Sequence, residues 1–458
     1  MTSRTIFITI SRGGTARNIL QTDAFRLLRE SGARLVILSP AWQDERFRRT
    51  FGYPGVEFAP LYEPPWSFWD YLFVGLHKAL VYNASTEMRD RYGIYSPDEA
   101  NVLRYWAKRL VFRPLRNIGA LKEWARALDA AVIRDRHYGE LFSRYRPAAV
   151  FSTSVIEDMD VAVQKQARAR GVPIIAMPKS WDNLSKISCR VKPDRLLVWG
   201  PYSEEEAARF QNIPSAEVEI CGIPQFDLYS RPEIFVSREE FCRAFALDPQ
   251  KKIILYASEG KVAKHDPEMV LMLARAAAAR TLGAPAQILI RPHFIYPGDK
   301  EKFASVASLP GVFIDNFYQP SACFRDRWDY SVEQMKHLAN LLHHADVLVT
   351  SNSTLTLDAS AMDKPTVNVA FDGREKKPFT ASIAKWYTTE YYRQVVATGA
   401  PWLVGSEEEL LAAVRALLAD PSIRRAERRR LADYFCGPRD GRAGERVGQA
   451  VIEFVNGV

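Results

Sequence analysis

The sequence predicts an α/β protein of two Rossmann-like domains facing one another across a cleft, with a helical insertion in the first. Three observations predict it. Short β-branched runs alternate with helical stretches along most of the chain, the rhythm of parallel sheets covered by helices. One order of events (strand, polar loop, helix, small residue before Pro, strand) occurs in each half. The 458 residues also exceed what one core of ordinary size accommodates.

"TIFITI" (5–10) reads as the first strand and leads into the small-residue loop "SRGGT"; "RLVILSP" (34–40) is the next strand. Residues 60–145 break the rhythm. "EPPWSFWDYLFVGLHKAL" (63–80) is dense in aromatics, and a helical tract follows from about Asp98 to Arg144, so this stretch is the helical insertion. "AAVFSTS" (148–154) and "GVPIIAM" (171–177) resume the strands. "RVKPDRLLVWG" after a polar loop sets the boundary near 190, giving domains of 1–190 and 191–439. In the second half "KIILYA" (252–257) leads into "SEGK", and "ILIRPH" (288–293), "DVLVTSNS" (346–353) and "DKPTVNVAF" (363–371) repeat the first-half series. Helical stretches follow "PWLVG" (401–405), and the last, about 440–458, is expected to pack back on the first domain.

Apolar residues make up 47% and charged residues 25%, the balance of a folded chain. No stretch nears the ~18 consecutive apolar residues of a membrane span. The apolar run at the start, "IFITI", is too short for a signal-peptide core, so a cytoplasmic location is expected. Cys189, Cys221, Cys242, Cys323 and Cys436 are scattered without a C-x-x-C spacing, which supports neither a disulfide framework nor a structural zinc site. The net charge of +8 favours anionic partners such as nucleotides or phospholipid head groups. Without a helix-turn-helix, RNP or zinc-finger signature, no nucleic-acid partner is expected. "PPWSFWDYLFVGLHKAL" together with "RRAERRR" (424–430) would suit peripheral contact with an anionic inner membrane surface; the alternative makes the aromatics core and the arginines a solvated helix face.

Ligands of open parallel sheets sit beyond the carboxyl ends of strands. "TSNSTLTLDASAMDKPTVNV" (350–369) stands at such an end. Its Ser351, Ser353 and Thr354 hydroxyls, with backbone N–H groups opening a helix, are suited to phosphate oxygens. Asp358, one turn beyond Thr354, is suited to a ribose diol. Helix capping is the simpler role for the same hydroxyls. "IRPHF" (290–294) puts Arg291 and His293 at another strand end, a guanidinium for bidentate phosphate contact and an imidazole for a pyrophosphate oxygen. "YASEGKV" (256–262) is a turn in which Ser258, Gly260 and Lys261 would approach a diphosphate.

The ordered set "LYASEGK", "LIRPHF", "DVLVTSNSTLTLDASAMDKPTVNV" and "DGRAGERV" (440–447) resembles the GT-B superfamily, nearest its branch of CDP-glycerol glycerophosphotransferases and UDP-GlcNAc 2-epimerase-like enzymes. The resemblance implies a GT-B fold and donor-diphosphate contacts for Arg291 and His293. It assigns the remaining phosphate and the ribose to Ser351, Ser353, Thr354 and Asp358. Two departures matter. Phe294 follows the His where the glycerophosphotransferases carry a second Pro, and "PKSWDNLSK" (178–186) stands where they carry an H-G-T-P-like motif.

The acceptor is expected on the first domain. Gly13 and Gly14 permit close approach of a ligand, and Arg12 and Arg17 suit an anionic one. An inverting GT-B transferase needs a base for the acceptor hydroxyl. Asp182, beside Trp181 and Asn183, is the first candidate and Asp158 the second, with an Asx turn as the bland role for Asp182. The departing nucleotide would be stabilised by Arg, Lys and helix N-termini, so neither a metal nor a cofactor beyond the nucleotide donor is expected. The function expected is a glycosyltransferase that moves a sugar from a nucleotide-activated donor to a glycan or lipid-linked acceptor in cell-surface polysaccharide synthesis. The alternatives are a CDP-alcohol-dependent polyol-phosphate transferase and a non-hydrolysing nucleotide-sugar epimerase.

Overall fold

The computed structural model describes residues 4–94, 99–116, 118–133, 137–293, 295–318 and 320–457. Asp98, the expected start of the helical tract, and Phe294, after the strand-end histidine, lie outside them. The first sheet has strands β1 (Thr5–Thr9), β2 (Arg34–Ser39), β3 (Val56–Pro60), β4 (Ala149–Ser152), β5 (Ile174–Ala176), β6 (Arg195–Val198) and β7 (Val218–Ile220). Their order is β3-β2-β1-β4-β5-β6-β7, all parallel. The second has β8 (Lys252–Ala257), β9 (Ala286–Arg291), β10 (Val312–Ile314), β11 (Val347–Thr350), β12 (Thr366–Val369) and β13 (Trp402–Val404), in the order β10-β9-β8-β11-β12-β13, again parallel.

The strands read as unbroken β-branched runs because helices cover both faces: every residue of β1, β4 and β11 is buried. The strand order reverses between β1 and β4 in one sheet and between β8 and β11 in the other. The crevice beyond such a reversal is where α/β sheets bind ligands. The loops there are those after Thr9, Ser152, Ala257 and Thr350.

The first sheet extends further than the sequence suggests. β6 and β7, beyond the expected boundary at 190, pair with β5 and not with the second sheet, so the change of sheet falls between Ile220 and Lys252. Among the described residues five helices, Phe68–Ala79, Ala84–Tyr92, Val102–Leu115, Gly119–Val132 and Gly139–Tyr145, fill the insertion between β3 and β4. A buried carboxylate anchors it. Asp129 accepts from Lys165 at 2.5 Å and Arg190 at 2.7 Å, and Arg190 also reaches Asp70 at 3.1 Å.

The final helix, Ala443–Gly457, lays Gly444, Val447, Gly448 and Val451 against Asp23–Glu30 of the first domain. Its first amides, of Ala443 and Gly444, donate to Asp227 in the outgoing linker at 2.9 and 2.7 Å. The outgoing and returning connections therefore run side by side, and Arg446 Nε donates to the Cys221 carbonyl at 2.8 Å. Gly437, on the returning connection, packs against the chain just after β6. Its φ is +70°, and a Cβ there would lie 2.2 Å from the Trp199 carbonyl oxygen, so no other residue fits.

A second link is non-covalent. Residues 320–331, beyond β10, lie as a strap on the first domain. Tyr330 and Phe324 pack edge-on against Phe47 at 5.3 and 5.9 Å, and Asp329 pairs with Arg46 at 2.8 Å.

Candidate active site

The second-domain wall is built from three strand ends and the linker. Arg291 closes β9, is nearly buried, and stacks its guanidinium 4.7 Å from the Tyr318 ring centre. Asp358 accepts from the Tyr229 hydroxyl at 2.6 Å. Burial raises the Asp358 carboxyl above its ordinary range, while Tyr229, Arg17 and Arg291 oppose the rise. Burial and Asp358 likewise hold the proton on Tyr229, which keeps it a donor. Arg17 comes from the other domain, on the helix Gly13–Leu20, with its guanidinium 4.5 Å over Trp328 of the strap. Tyr229 and Asp358 act on Arg17 as well. Arg17, Arg291, Asp358, Tyr229 and Tyr318 thus form one electrostatically linked cluster between the domains.

His293 lies at its edge. Burial and the Arg291 charge push the imidazole down to about 4, so the ring is neutral at pH 7. Its backbone amide donates to Asp299 at 2.7 Å and its ring packs 4.6 Å from that of Tyr296. The serine loop is braced from behind: the Ser351 carbonyl accepts from Asn368 at 3.0 Å, and the Ser353 hydroxyl accepts from the Leu355 amide at 3.1 Å, the capping role. Thr354 is exposed at the loop tip.

The first turn of this wall splits its tasks. Ser258 is held by Lys302 at 2.9 Å, and its hydroxyl accepts from the Gly260 amide at 3.1 Å. Gly260 has φ +61°, and a Cβ would meet the Tyr296 ring at 1.9 Å, so this glycine shapes the turn. Lys261 projects outward, its ammonium 5.9 Å from the Tyr296 ring centre. Between them stands Glu259, which the sequence reading passes over. Burial pushes its carboxyl up to about 7; Asp266 and Asp299 add to the rise, and Ser353 and Arg291 oppose it. A part-buried carboxylate raised towards neutrality beside an arginine fits a proton acceptor.

On the first-domain wall, Gly13 and Gly14 point their amides at an anion, but at one inside the chain: Asp326 of the strap accepts at 3.1 and 3.3 Å. Arg12 is likewise occupied, donating to Glu157 at 3.0 Å, and Lys179 contacts the same carboxylate. Asp182 is paired with Lys186 and accepts from Asn183 at 3.0 Å. Burial alone would raise its carboxyl, but Lys186 and Ser180 outweigh this and hold it below the usual range, the wrong direction for a base. Trp181 is a core residue, edge-on to Tyr391 at 5.2 Å and Phe435 at 5.4 Å, and Asn183 is buried with it; neither faces an acceptor. Asp158 differs. It opens the helix Asp158–Ala169 half-buried, and burial with Glu157, Glu63 and Asp70 raises its carboxyl against Arg190 at 3.9 Å.

The expected membrane surface divides too. Phe68 and Tyr71 are 73% and 65% exposed, so these aromatics are not core. The arginine run divides as well: Arg428 is buried on Asp363 and the Pro421 and Ile423 carbonyls, whereas Arg425, Arg429 and Arg430 lie on an exposed helix face, Arg425 pairing with Asp363. Among the described residues no helix is long and apolar enough to cross a membrane, and no group of three or more His, Cys, Asp or Glu is placed to hold a metal.

A family model described as CDP-glycerol:poly(glycerophosphate) glycerophosphotransferase matches residues 179–453. No curated protein matches at the sequence level. Among solved structures, UDP-GlcNAc 2-epimerase from Neisseria meningitidis bound to UDP-GlcNAc superposes with a TM-score of 0.52 at 12% identity, over 98% of this chain and 99% of that one. The epimerase from Methanocaldococcus jannaschii gives 0.54 at 12% identity, over 98% and 99%. The wall teichoic acid polymerase TagF, soaked with CDPG, gives 0.50 at 11% identity, over 99% and 89%. At such identities the likeness is one of fold: two parallel Rossmann-like sheets in the GT-B arrangement.

Proposed function

The chain belongs to the CDP-glycerol:poly(glycerophosphate) glycerophosphotransferase family, and from that premise we propose that it transfers a polyol phosphate from a CDP-activated donor to a hydroxyl of a polyol-phosphate or lipid-linked acceptor. The acceptor oxygen attacks the phosphorus that carries the polyol. The new P–O bond forms as the phosphoanhydride P–O bond breaks, CMP leaves with the electron pair, and the acceptor proton passes to Glu259. Such a transfer is catalysed chiefly by positioning and charge stabilisation. Arg291 and Arg17 supply that charge from opposite domains, the neutral His293 offers a hydrogen bond, and Tyr229 with Asp358 forms the floor. The arginines make a divalent ion dispensable, so turnover persists in EDTA.

The observation that carries this reading is the meeting of Arg17 and Arg291 at Asp358, because two guanidiniums brought together from opposite domains suit a phosphoanhydride. Glycosyl transfer is the second reading, favoured by "PKSWDNLSK" lacking the histidine of the glycerophosphotransferase motif. Nucleotide titrations of the purified protein separate the two. CDP should raise the melting temperature most, and CDP-glycerol with a polyol-phosphate acceptor should release CMP. Preference for UDP, with UDP release from a nucleotide sugar, would overturn the first reading in favour of the second.

A further inference from the structure

A cavity of about 350 Å³ lies between the insertion, the start of the helix Asp158–Ala169 and the second-domain segment 386–391. None of the donor contacts uses it. Its walls are largely apolar: Trp66, Val74, Met88, Val155, Ile156 and Trp386. At one end Trp66 is partly exposed and edge-on to the exposed Tyr71 at 4.7 Å. Asp158 also lines the cavity, beyond the end of β4 where the strand order reverses.

Four cations line this apolar space, and they are not equivalent. Lys186 is neutralised by Asp182, and Arg190 by Asp129 and Asp70. Lys78 has no hydrogen-bond or ion-pair partner among the described residues, although it is half-buried. Arg89 buries Nε and Nη2 without hydrogen-bond partners among the described residues. The carboxylate at ion-pair range, Asp90, stands 3.9 Å off and is engaged by Lys108 at 2.8 Å. Burial lowers both groups; for Lys78 the like charge of Arg89 adds to the fall and Asp158 opposes it, as Asp90 does for Arg89. Part-buried cations without a hydrogen-bonded counter-charge are costly unless a ligand supplies one.

We propose that this cavity binds a phosphate carried on an apolar chain, with the phosphate on Lys78 and Arg89, the chain leaving past Trp66, and the polar end directed at Asp158. An inorganic ion would not account for the apolar walls, nor a neutral lipid for the two cations. The assignment rests on the transferase reading and names its acceptor class: a lipid-linked phosphate whose hydroxyl end reaches the cleft at Asp158.

Isothermal titration of the full-length protein with dodecyl phosphate, dodecyl maltoside and inorganic phosphate tests it. Dodecyl phosphate should bind saturably. Inorganic phosphate and dodecyl maltoside should each bind at least roughly tenfold more weakly, since each lacks one of the two recognised parts. Lys78→Met and Arg89→Met should each weaken dodecyl phosphate roughly tenfold, while Val74→Trp, which fills the cavity and leaves both charges in place, should abolish binding. Equal affinity for the maltoside, equal affinity for inorganic phosphate, or unchanged affinity in Lys78→Met would overturn the site. CDP titrated into the same samples reads the donor half separately. Loss of CDP binding by the wild type with dodecyl phosphate retained sinks the transferase reading and leaves the pocket standing; the reverse sinks the pocket alone.

Discussion

The Gly13 amide donates to the Asp326 carboxylate at 3.1 Å, and Gly14 to its second oxygen at 3.3 Å. A strap from the second domain thereby caps the first helix of the first. Hydrogen bonds to a charged acceptor contribute roughly 1.5–3 kcal/mol. Asp326→Ala should therefore lower the melting temperature and make residues 320–331 sensitive to limited proteolysis, with Asp326→Asn intermediate. A wild-type digestion pattern in the alanine variant would show that the strap is held by its aromatic anchors instead.

Arg17 and Arg291 act on the same carboxylate, Asp358, from opposite domains. Each alanine substitution should weaken CDP binding roughly tenfold or more. Because the two groups share a partner, the double variant should lose less than the sum of the singles. Strict additivity in calorimetric titrations would place them on separate sites.

Glu259 is held up to about 7 by burial, so activity should rise through that pH as the carboxylate forms. Glu259→Gln should abolish the rise and lower kcat by roughly two orders of magnitude. Stability moves the other way. A carboxyl whose folded pKa lies above its unfolded value stabilises fully below the unfolded pKa and loses that contribution as pH climbs through the folded one. Between pH 5 and 8 the wild-type melting temperature should therefore fall more steeply than that of Glu259→Gln.

Asp182 and Glu259 are opposed as candidate bases, one held down by Lys186 and the other raised by burial. Asp182→Asn should keep activity within a few-fold of wild type, although breaking its pair with Lys186 lowers stability by roughly 1 kcal/mol. Loss of turnover in Asp182→Asn with Glu259→Gln active would reverse the assignment.

Gly260→Ala sets a Cβ 1.9 Å from the Tyr296 ring at a φ of +61°. A destabilisation of roughly 2 kcal/mol is expected. CDP affinity should fall with it, because the displaced turn carries Glu259; an unchanged titration curve would separate the turn from the donor site.

Much of the fold is legible because its strands are buried on both faces. Ile253, Ile254 and Leu255 of β8 are wholly enclosed, so an uninterrupted apolar run marks the strand and the polar residues after it mark the site edge. β6 and β7 are harder to assign to a sheet, since a short strand such as "VEI" carries no signal of its neighbour. Glu259 sits inside a quoted motif yet is invisible as a titrating group, because Arg291, Ser353 and Asp266 come to it from remote parts of the chain. Lys186, four residues beyond Asp182 in "WDNLSK", was a readable sign that this aspartate is paired. The occupation of Gly13 and Gly14 by Asp326 spans most of the chain and has no local signature.

The side-by-side crossings at Cys221–Asp227 and Gly437–Gly444 fix how the two lobes can part. Two adjacent polypeptide connections define an axis, so any parting of the lobes turns about it like a door, with Asp326 as the latch on the opposite jamb. A single cut in either connection releases neither lobe, so a nicked enzyme travels as one particle until it is denatured.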